Sequence, residues 1–135
     1  MNAVQIDQFG DESVMKFRTG VEKPKIVKEI QVLIRVKSAG VNPHEASIRC
    51  GDYGPRTFPY TLGMDFAGIV EDVGSAVKDF EIGDRVYSTL SGCGAYADYQ
   101  VNEDHNVFHL PSQLTFQEGA GIGCVYFTAF RSLFH

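Results

Sequence analysis

The sequence predicts a mainly β domain of the barrel type with short helices, followed by a helical segment. Through the first two thirds of the chain, apolar and polar residues alternate at period two rather than at the helical period. Glycines interrupt these alternating runs at short intervals, and the signature of a helix start follows Pro111. Short strands joined by glycine turns are typical of sheets that curl toward a barrel.

The segment from Ile30 to Lys37 shows the strand pattern best. Its alternation puts Ile30, Val32, Ile34 and Val36 on one face, with Leu33 as the one apolar residue on the other. This pattern predicts a half-buried antiparallel strand. Further short strands are predicted over 67–73, 84–88, 95–101 and 107–110.

One short helix is predicted inside the β region. Asn42 has the side chain of an N-cap, and Pro43 suits the first helical position. We expect this helix to run through Ile48 and to end before Gly51.

A second helical region is predicted after Pro111. Thr115 and Glu118 have the spacing of a capping box, so the glycine run at 119–123 is expected on or after a helix and not in a phosphate-binding turn. The change of pattern divides the chain into a β domain over 1–111 and a helical segment over 112–135. Because no Gly or Asn C-cap precedes the last residue, His135, we expect the sequence to continue in a longer protein. The last helix has a broad apolar face made of Val125, Phe127, Phe130, Leu133 and Phe134.

Composition narrows the classes of function. The 135 residues are 44% hydrophobic and carry 17 acidic against 12 basic side chains, for a net charge of -5. This composition is typical of a globular domain and gives no basic stripe for nucleic acid or anionic lipid. No apolar run approaches the roughly 20 residues of a membrane span, and no signal peptide is recognisable, so we expect a cytoplasmic location.

The cysteines and histidines predict neither disulfides nor a metal site. Cys50, Cys93 and Cys124 are odd in number and far apart, as expected of free thiols. The four histidines show no helical spacing that would gather them around a metal ion.

Six motifs in order resemble the zinc-free quinone oxidoreductase branch of the medium-chain dehydrogenase/reductase superfamily, the zeta-crystallin family. They lie at 39–43, 51–53, 59–70, 83–86, 94–99 and 126–131, and so cover almost the whole chain. The resemblance implies a GroES-like catalytic domain whose parent enzyme is α/β, with a Rossmann domain that is absent here. It also implies NADPH as the cofactor, a quinone or enone as the substrate, and a homo-oligomer for the full-length protein. RNA binding is implied only by family association, and the composition does not support it.

The same resemblance indicates which branch of the superfamily this is. Zinc-dependent alcohol dehydrogenases have Cys in place of Asn42 and His in place of Met64. An amide and a thioether are poor zinc ligands, so catalysis without a metal is expected.

The resemblance assigns site residues. Asn42 and Tyr53 are expected to be catalytic, because each has a hydrogen-bond donor for a substrate oxygen that becomes anionic. Asn42, Tyr53, Met64, Asp65 and Thr128 are expected to contact the cofactor, with Thr128 near the nicotinamide carboxamide. Structural alternatives remain open: Asn42 as an N-cap, Tyr53 as a turn residue, Asp65 as part of a strand entry, and Thr128 as a hydroxyl bonded back to its own helix.

The expected function is therefore the N-terminal part of an NADPH-dependent reductase of quinones or conjugated carbonyls, inactive in isolation. An enoyl or alkenal reductase is the alternative within the enzyme class. A catalytically silent binding or structural module is the alternative outside it.

Overall fold

Two antiparallel sheets make up most of the molecule. The computed structural model describes residues 1–88 and 93–134. The strands are β1 Ala3–Ile6, β2 Lys16–Arg18, β3 Gln31–Ala39, β4 Tyr60–Thr61, β5 Phe66–Val73, β6 Arg85–Ser88, β7 Tyr99–Glu103 and β8 Val107–His109. The helices are α1 Pro43–Cys50, α2 Phe116–Ala120 and α3 Gly123–Phe134, and two short 3₁₀ turns cover Glu12–Val14 and Asp104–Asn106.

The larger sheet has the strand order β7-β3-β5-β6-β8, and the smaller one has the order β2-β1-β4. An antiparallel bridge between Ala3 and Ala97, with a 2.8 Å bond from Val4 N to Tyr96 O, joins β1 to the segment that leads into β7. The two sheets thus curl around a common interior. This confirms the predicted fold class, a mainly β barrel-type domain with short helices.

Strand β3 lies inside the larger sheet, paired with β5 on one side and with the edge strand β7 on the other. Val32 and Ile34 are fully buried, as their positions in the alternation predicted, and they pack with Phe66 and Val86. The strand begins one residue later than predicted, so Ile30 lies outside it and is 38% exposed. A sheet buried on one side accounts for most of this core.

The predicted strand at 95–101 is shifted in the structure. Ala95 N and Tyr96 N bond to Gly63 O and Leu62 O at 3.1 and 3.0 Å, and β7 begins only at Tyr99. Strands β1, β2 and β4 were not predicted. They have two to four residues each, and β1 pairs with β4, which is remote in sequence, so no local pattern encodes this sheet.

Helix α1 begins where the sequence predicted and extends through Cys50. Asn42 is its N-cap, Pro43 stands at the first helical position, and Gly51 ends it with a φ of 95°. That left-handed conformation is readily available only to glycine, which is why the helix stops there.

The capping box at Thr115 and Glu118 is confirmed, and it starts α2. This helix packs on the larger sheet, where Ala120 is buried with Ala67 and Leu110. The contact requires Gly40, since a Cβ there would lie 2.5 Å from the Ala120 carbonyl oxygen.

Helix α3 is the least buried of the three. The apolar face that the sequence predicted is exposed in the structure: Val125 is 58% exposed, Phe127 41%, Phe130 57%, Leu133 76% and Phe134 68%. Within the described residues, none of the helices is both long enough and apolar enough to cross a membrane.

Candidate active site

The site is built around the start of α1. Asn42 is 7% exposed and has an extended backbone, as an N-cap requires. Its backbone N donates to Glu45 Oε2 at 2.5 Å, and its side-chain Nδ2 lies 3.3 Å from Glu45 Oε1. The first turn of α1 therefore fixes both the backbone and the amide of Asn42.

Glu45 connects this helix start to the segment that enters β5. Its Oε1 also accepts from the backbone N of Met64 at 3.1 Å, although the side chain is only 3% exposed. Donors from Asn42 and Met64 replace the water that a buried carboxylate loses. The contact places Met64 beside Asn42.

Asp65 makes the second connection. It is 1% exposed, and its Oδ2 accepts from Asn42 Nδ2 at 3.0 Å and from the backbone N of Cys124 at 2.9 Å. Its other oxygen, Oδ1, is buried without a hydrogen-bond partner in the described part of the chain. The Asp65 carboxylate thus links the starts of α1 and α3 by hydrogen bonds and is almost completely shielded from solvent.

The two carboxylates influence their neighbours. Burial raises the pKa of Tyr96 to about 12, and the charges of Glu45 and Asp65 act in the same direction. Burial also raises the pKa of the Cys124 thiol, with the charge of Asp65 adding to it, while a hydrogen bond with the Thr128 side chain lowers it. The surroundings of Asn42 are therefore poorly hydrated and negative.

Tyr53 approaches from the turn that follows α1. Its ring lies edge-on to the His44 ring, with centroids 4.3 Å apart and planes at 69°. The side chain is 52% exposed, and its backbone oxygen accepts from Arg56 Nη1 at 3.2 Å. His44 follows Pro43, so the phenol of Tyr53 lies near the first turn of α1.

The structure brings only some of the five expected site residues together. Asn42, Met64 and Asp65 share one hydrogen-bond network, and Thr128 contacts Cys124, whose backbone N donates to Asp65. Tyr53 instead packs against the His44 ring. The sequence analysis did not identify two residues of this network, Glu45 and Cys124.

Glu45 stands three positions after the predicted N-cap, the capping-box spacing, so the sequence held a signal for it. Cys124 had no local signal, because its partner Asp65 is 59 positions away.

A cleft of about 270 Å³ opens beside this network. Asn42 and Glu45 form one wall, and Arg49, Leu62 and Tyr96 line it further. Within residues 1–88 and 93–134, no three His, Cys, Asp or Glu side chains are grouped so that they could hold a metal ion. The chemistry available here is hydrogen bonding from a few polar groups in a mostly apolar cleft.

Comparison with known proteins identifies the fold family. The sequence profile of the alcohol dehydrogenase GroES-like domain matches residues 28–124. The chain belongs to this family.

Relatives of this GroES-like domain are oxidoreductases. The quinone oxidoreductase of Lama guanicoe is 47% identical over 137 residues, and the match covers 100% of this chain and 41% of that protein. A chloroplastic NADPH-dependent alkenal/one oxidoreductase of Arabidopsis thaliana is 34% identical over 143 residues, covering 98% of this chain and 37% of that protein.

Among solved structures, the Escherichia coli quinone oxidoreductase complexed with NADPH superposes with a TM-score of 0.92 at 28% identity, over 99% of this chain and 40% of that one. The chain thus spans about two fifths of the length of the relatives it matches.

The GroES-like domain offers little to grip a dinucleotide. All strand pairs between the described strands are antiparallel, so no parallel βαβ unit is formed among them. In the glycine run, Gly119 N and Gly121 N bond to Thr115 O and Glu118 O, and these amides are unavailable to phosphate.

Proposed function

We propose that this chain forms the acceptor-side wall of the active site in an NADPH-dependent oxidoreductase that reduces quinones or related conjugated carbonyls without zinc. The observation that carries the proposal is the hydrogen-bond network that joins Asn42, Met64 and Asp65 at the start of α1. The likeness to quinone oxidoreductases over the whole chain supports it. NADPH supplies the hydride when it is bound.

Tyr53 is assigned the chemical role. Its half-exposed phenol can donate to the acceptor oxygen as that oxygen becomes anionic, and such a donor stabilises the transition state more than the ground state. The edge contact with His44 restricts the ring, so the hydroxyl is held in place before substrate binds.

The other residues are assigned to the nicotinamide end of the cofactor. Asn42 and Met64 lie at the start of α1, and we assign the exposed Thr128 on α3 to the nicotinamide carboxamide, as the resemblance implies. Asp65 acts through Asn42 and Cys124, because its own carboxylate is buried. Asn42 and Met64 take the place of the Cys and His of zinc-dependent relatives, so no metal step is assigned.

In the whole enzyme, we assign the grip on the cofactor's pyrophosphate and adenosine to a Rossmann domain outside this chain. The segment 112–135 leads toward that domain: α2 is anchored on the sheet, and the exposed apolar face of α3 packs against the added chain. We also assign the enzyme to the cytoplasm, as the sequence led us to expect, and to a homo-oligomer, as the family resemblance implies.

A second activity is supported by the likeness to the plant alkenal/one oxidoreductase. Alkenals and enones have the same conjugated carbonyl as quinones, so the same donor could act on their oxygen. Comparing turnover of a quinone with that of an enone separates the two. Absence of turnover with either would favour a silent structural module.

A chimera tests the proposed function. This chain would replace the matching 41% of the Lama guanicoe quinone oxidoreductase. We expect NADPH-dependent reduction of a simple quinone, followed as loss of NADPH absorbance. The parent enzyme is the positive control. A folded chimera that binds NADPH but leaves both quinone and enone unreduced would contradict the proposal.

A further inference from the structure

Two buried carboxylates hold the amide of Asn42 between them. Its Nδ2 lies 3.0 Å from Asp65 Oδ2 and 3.3 Å from Glu45 Oε1. An asparagine amide has two N–H hydrogens, which is enough to supply one to each carboxyl group. The donor that the sequence led us to expect from Asn42 is therefore already committed within the protein.

The orientation of the amide follows from the chemistry of its neighbours. Glu45 Oε1 and Asp65 Oδ2 already accept from the backbone N–H groups of Met64 and Cys124, so they are acceptors toward the amide as well, and the nitrogen of Asn42 faces them. At 3% and 1% exposure, both carboxylates are shielded from water, where charge-assisted hydrogen bonds are strong.

Each carboxylate is also anchored by backbone. Glu45 accepts from the N–H groups of Asn42 and Met64, and Asp65 accepts from that of Cys124. The carboxylates cannot turn away from the amide without breaking these bonds. The network is a rigid support that spans the starts of α1 and α3 and the entry to β5.

We propose that Glu45 and Asp65 are positioning residues that occupy both hydrogens of the Asn42 amide, so that Asn42 meets a ligand only as a hydrogen-bond acceptor. This inference rests on the proposed function, in which Asn42 lines the reaction cleft. The ligand group that Asn42 recognises is then a hydroxyl or N–H, from the cofactor or from the hydroquinone product. Tyr53 remains as the donor to the oxygen that becomes anionic.

Solvent exchange of the Asn42 side-chain hydrogens, followed by NMR in the isotope-labelled chain, tests the network. We expect both hydrogens to exchange about 10- to 100-fold more slowly than those of the exposed Asn2, as charge-assisted bonds imply. In Glu45→Gln, a single acceptor oxygen serves three donors, and at least one hydrogen should exchange about tenfold faster. Glu71→Gln, the same change in a surface carboxylate on β5, should leave Asn42 unchanged.

The exchange rates of the Asn42 hydrogens in the wild-type chain test the network even if the Glu45→Gln variant fails to fold. Exchange of both Asn42 hydrogens at the Asn2 rate would overturn the network. Unchanged exchange in a folded Glu45→Gln would remove Glu45 from it.

The ligand is tested in the chimera, with NADPH and a hydroquinone added separately. We expect the Asn42 side-chain hydrogens to exchange slowly in the presence of either ligand. The ligand that shifts the Asn42 resonances is the one whose hydroxyl or N–H donates to Asn42. Faster exchange on adding either, or no shift with both, would overturn the acceptor role. Failure of quinone turnover would instead contradict the proposed function. The slow exchange of the Asn42 hydrogens in the isolated chain would not be affected by that result.

Discussion

Tyr60 and Tyr96 are phenols whose surroundings disfavour ionisation. Burial and a hydrogen bond with Cys93 raise the pKa of Tyr60 to about 12. Burial and the charges of Glu45 and Asp65 raise that of Tyr96 to about 12. A phenol whose pKa is higher in the folded state than in the unfolded one stabilises the fold only while it is protonated.

The stability of the fold therefore depends on pH through these two phenols. The stabilisation from both phenols is fully present below their ordinary pKa of 10.0 and is lost as the pH rises through about 12. Ultraviolet titration should show two phenols ionising near pH 12, and Tyr96→Phe should remove one. Ionisation of both near pH 10 in the folded protein would contradict the burial argument.

Tyr53 differs from those two because it is half exposed and assigned to the substrate. In the chimera, Tyr53→Phe should lower kcat for quinone reduction about 100-fold, the usual cost of one donor to an oxyanion, with little change in KM for NADPH. Tyr99→Phe is the matched control, since Tyr99 on β7 has its ring against the Lys23 ammonium and is assigned no role in the reaction. An unchanged kcat in Tyr53→Phe would exclude the phenol from the reaction.

Asn42 and Met64 determine the expected metal content. Neither side chain is a good zinc ligand, and the Asn42 amide turns its hydrogens toward the carboxylates beside it. Metal analysis of the purified protein should find no stoichiometric zinc. One tightly held zinc ion per chain would be inconsistent with this site.

At the scale of the elements, local signals were the most reliable. The capping box before α2, the N-cap and proline of α1, and the alternation in β3 each depend on neighbouring residues, and each was predicted correctly. The segment at 95–101 was placed wrongly because the backbone near Tyr96 pairs with Leu62 and Gly63, which are remote in sequence.

The capping box allows a direct stability test. Thr115 Oγ1 accepts from Glu118 N at 3.2 Å, and Glu118 Oε2 accepts from Thr115 N at 2.7 Å. Thr115→Ala should lower the free energy of unfolding by about 1 kcal/mol, measured by urea denaturation. Ser112→Ala, in the preceding loop, should change it little, and equal losses in the two variants would refute the capping role.

At the scale of the whole molecule, the family was predictable from the sequence, but the contacts between the expected site residues were not. Motifs in order named those residues, and the structure joins Asn42, Met64 and Asp65 by hydrogen bonds at one helix start. The contacts that hold them join positions 42 to 65 and 65 to 124, and no local pattern encodes such pairings. The buried Glu45 shows the same gap, since capping-box spacing signals a helix start and says nothing of burial.

We propose that this chain supplies the acceptor side of a reductase but little of the cofactor's binding energy. Most of that energy comes from pyrophosphate and adenosine contacts in a parallel βαβ fold, which the described strands do not form. Calorimetric titration of the 135-residue chain with NADPH, beside a quinone reduction assay, tests this most directly. We predict a dissociation constant above about 1 mM and no turnover. Micromolar binding together with quinone reduction by this chain alone would contradict the account.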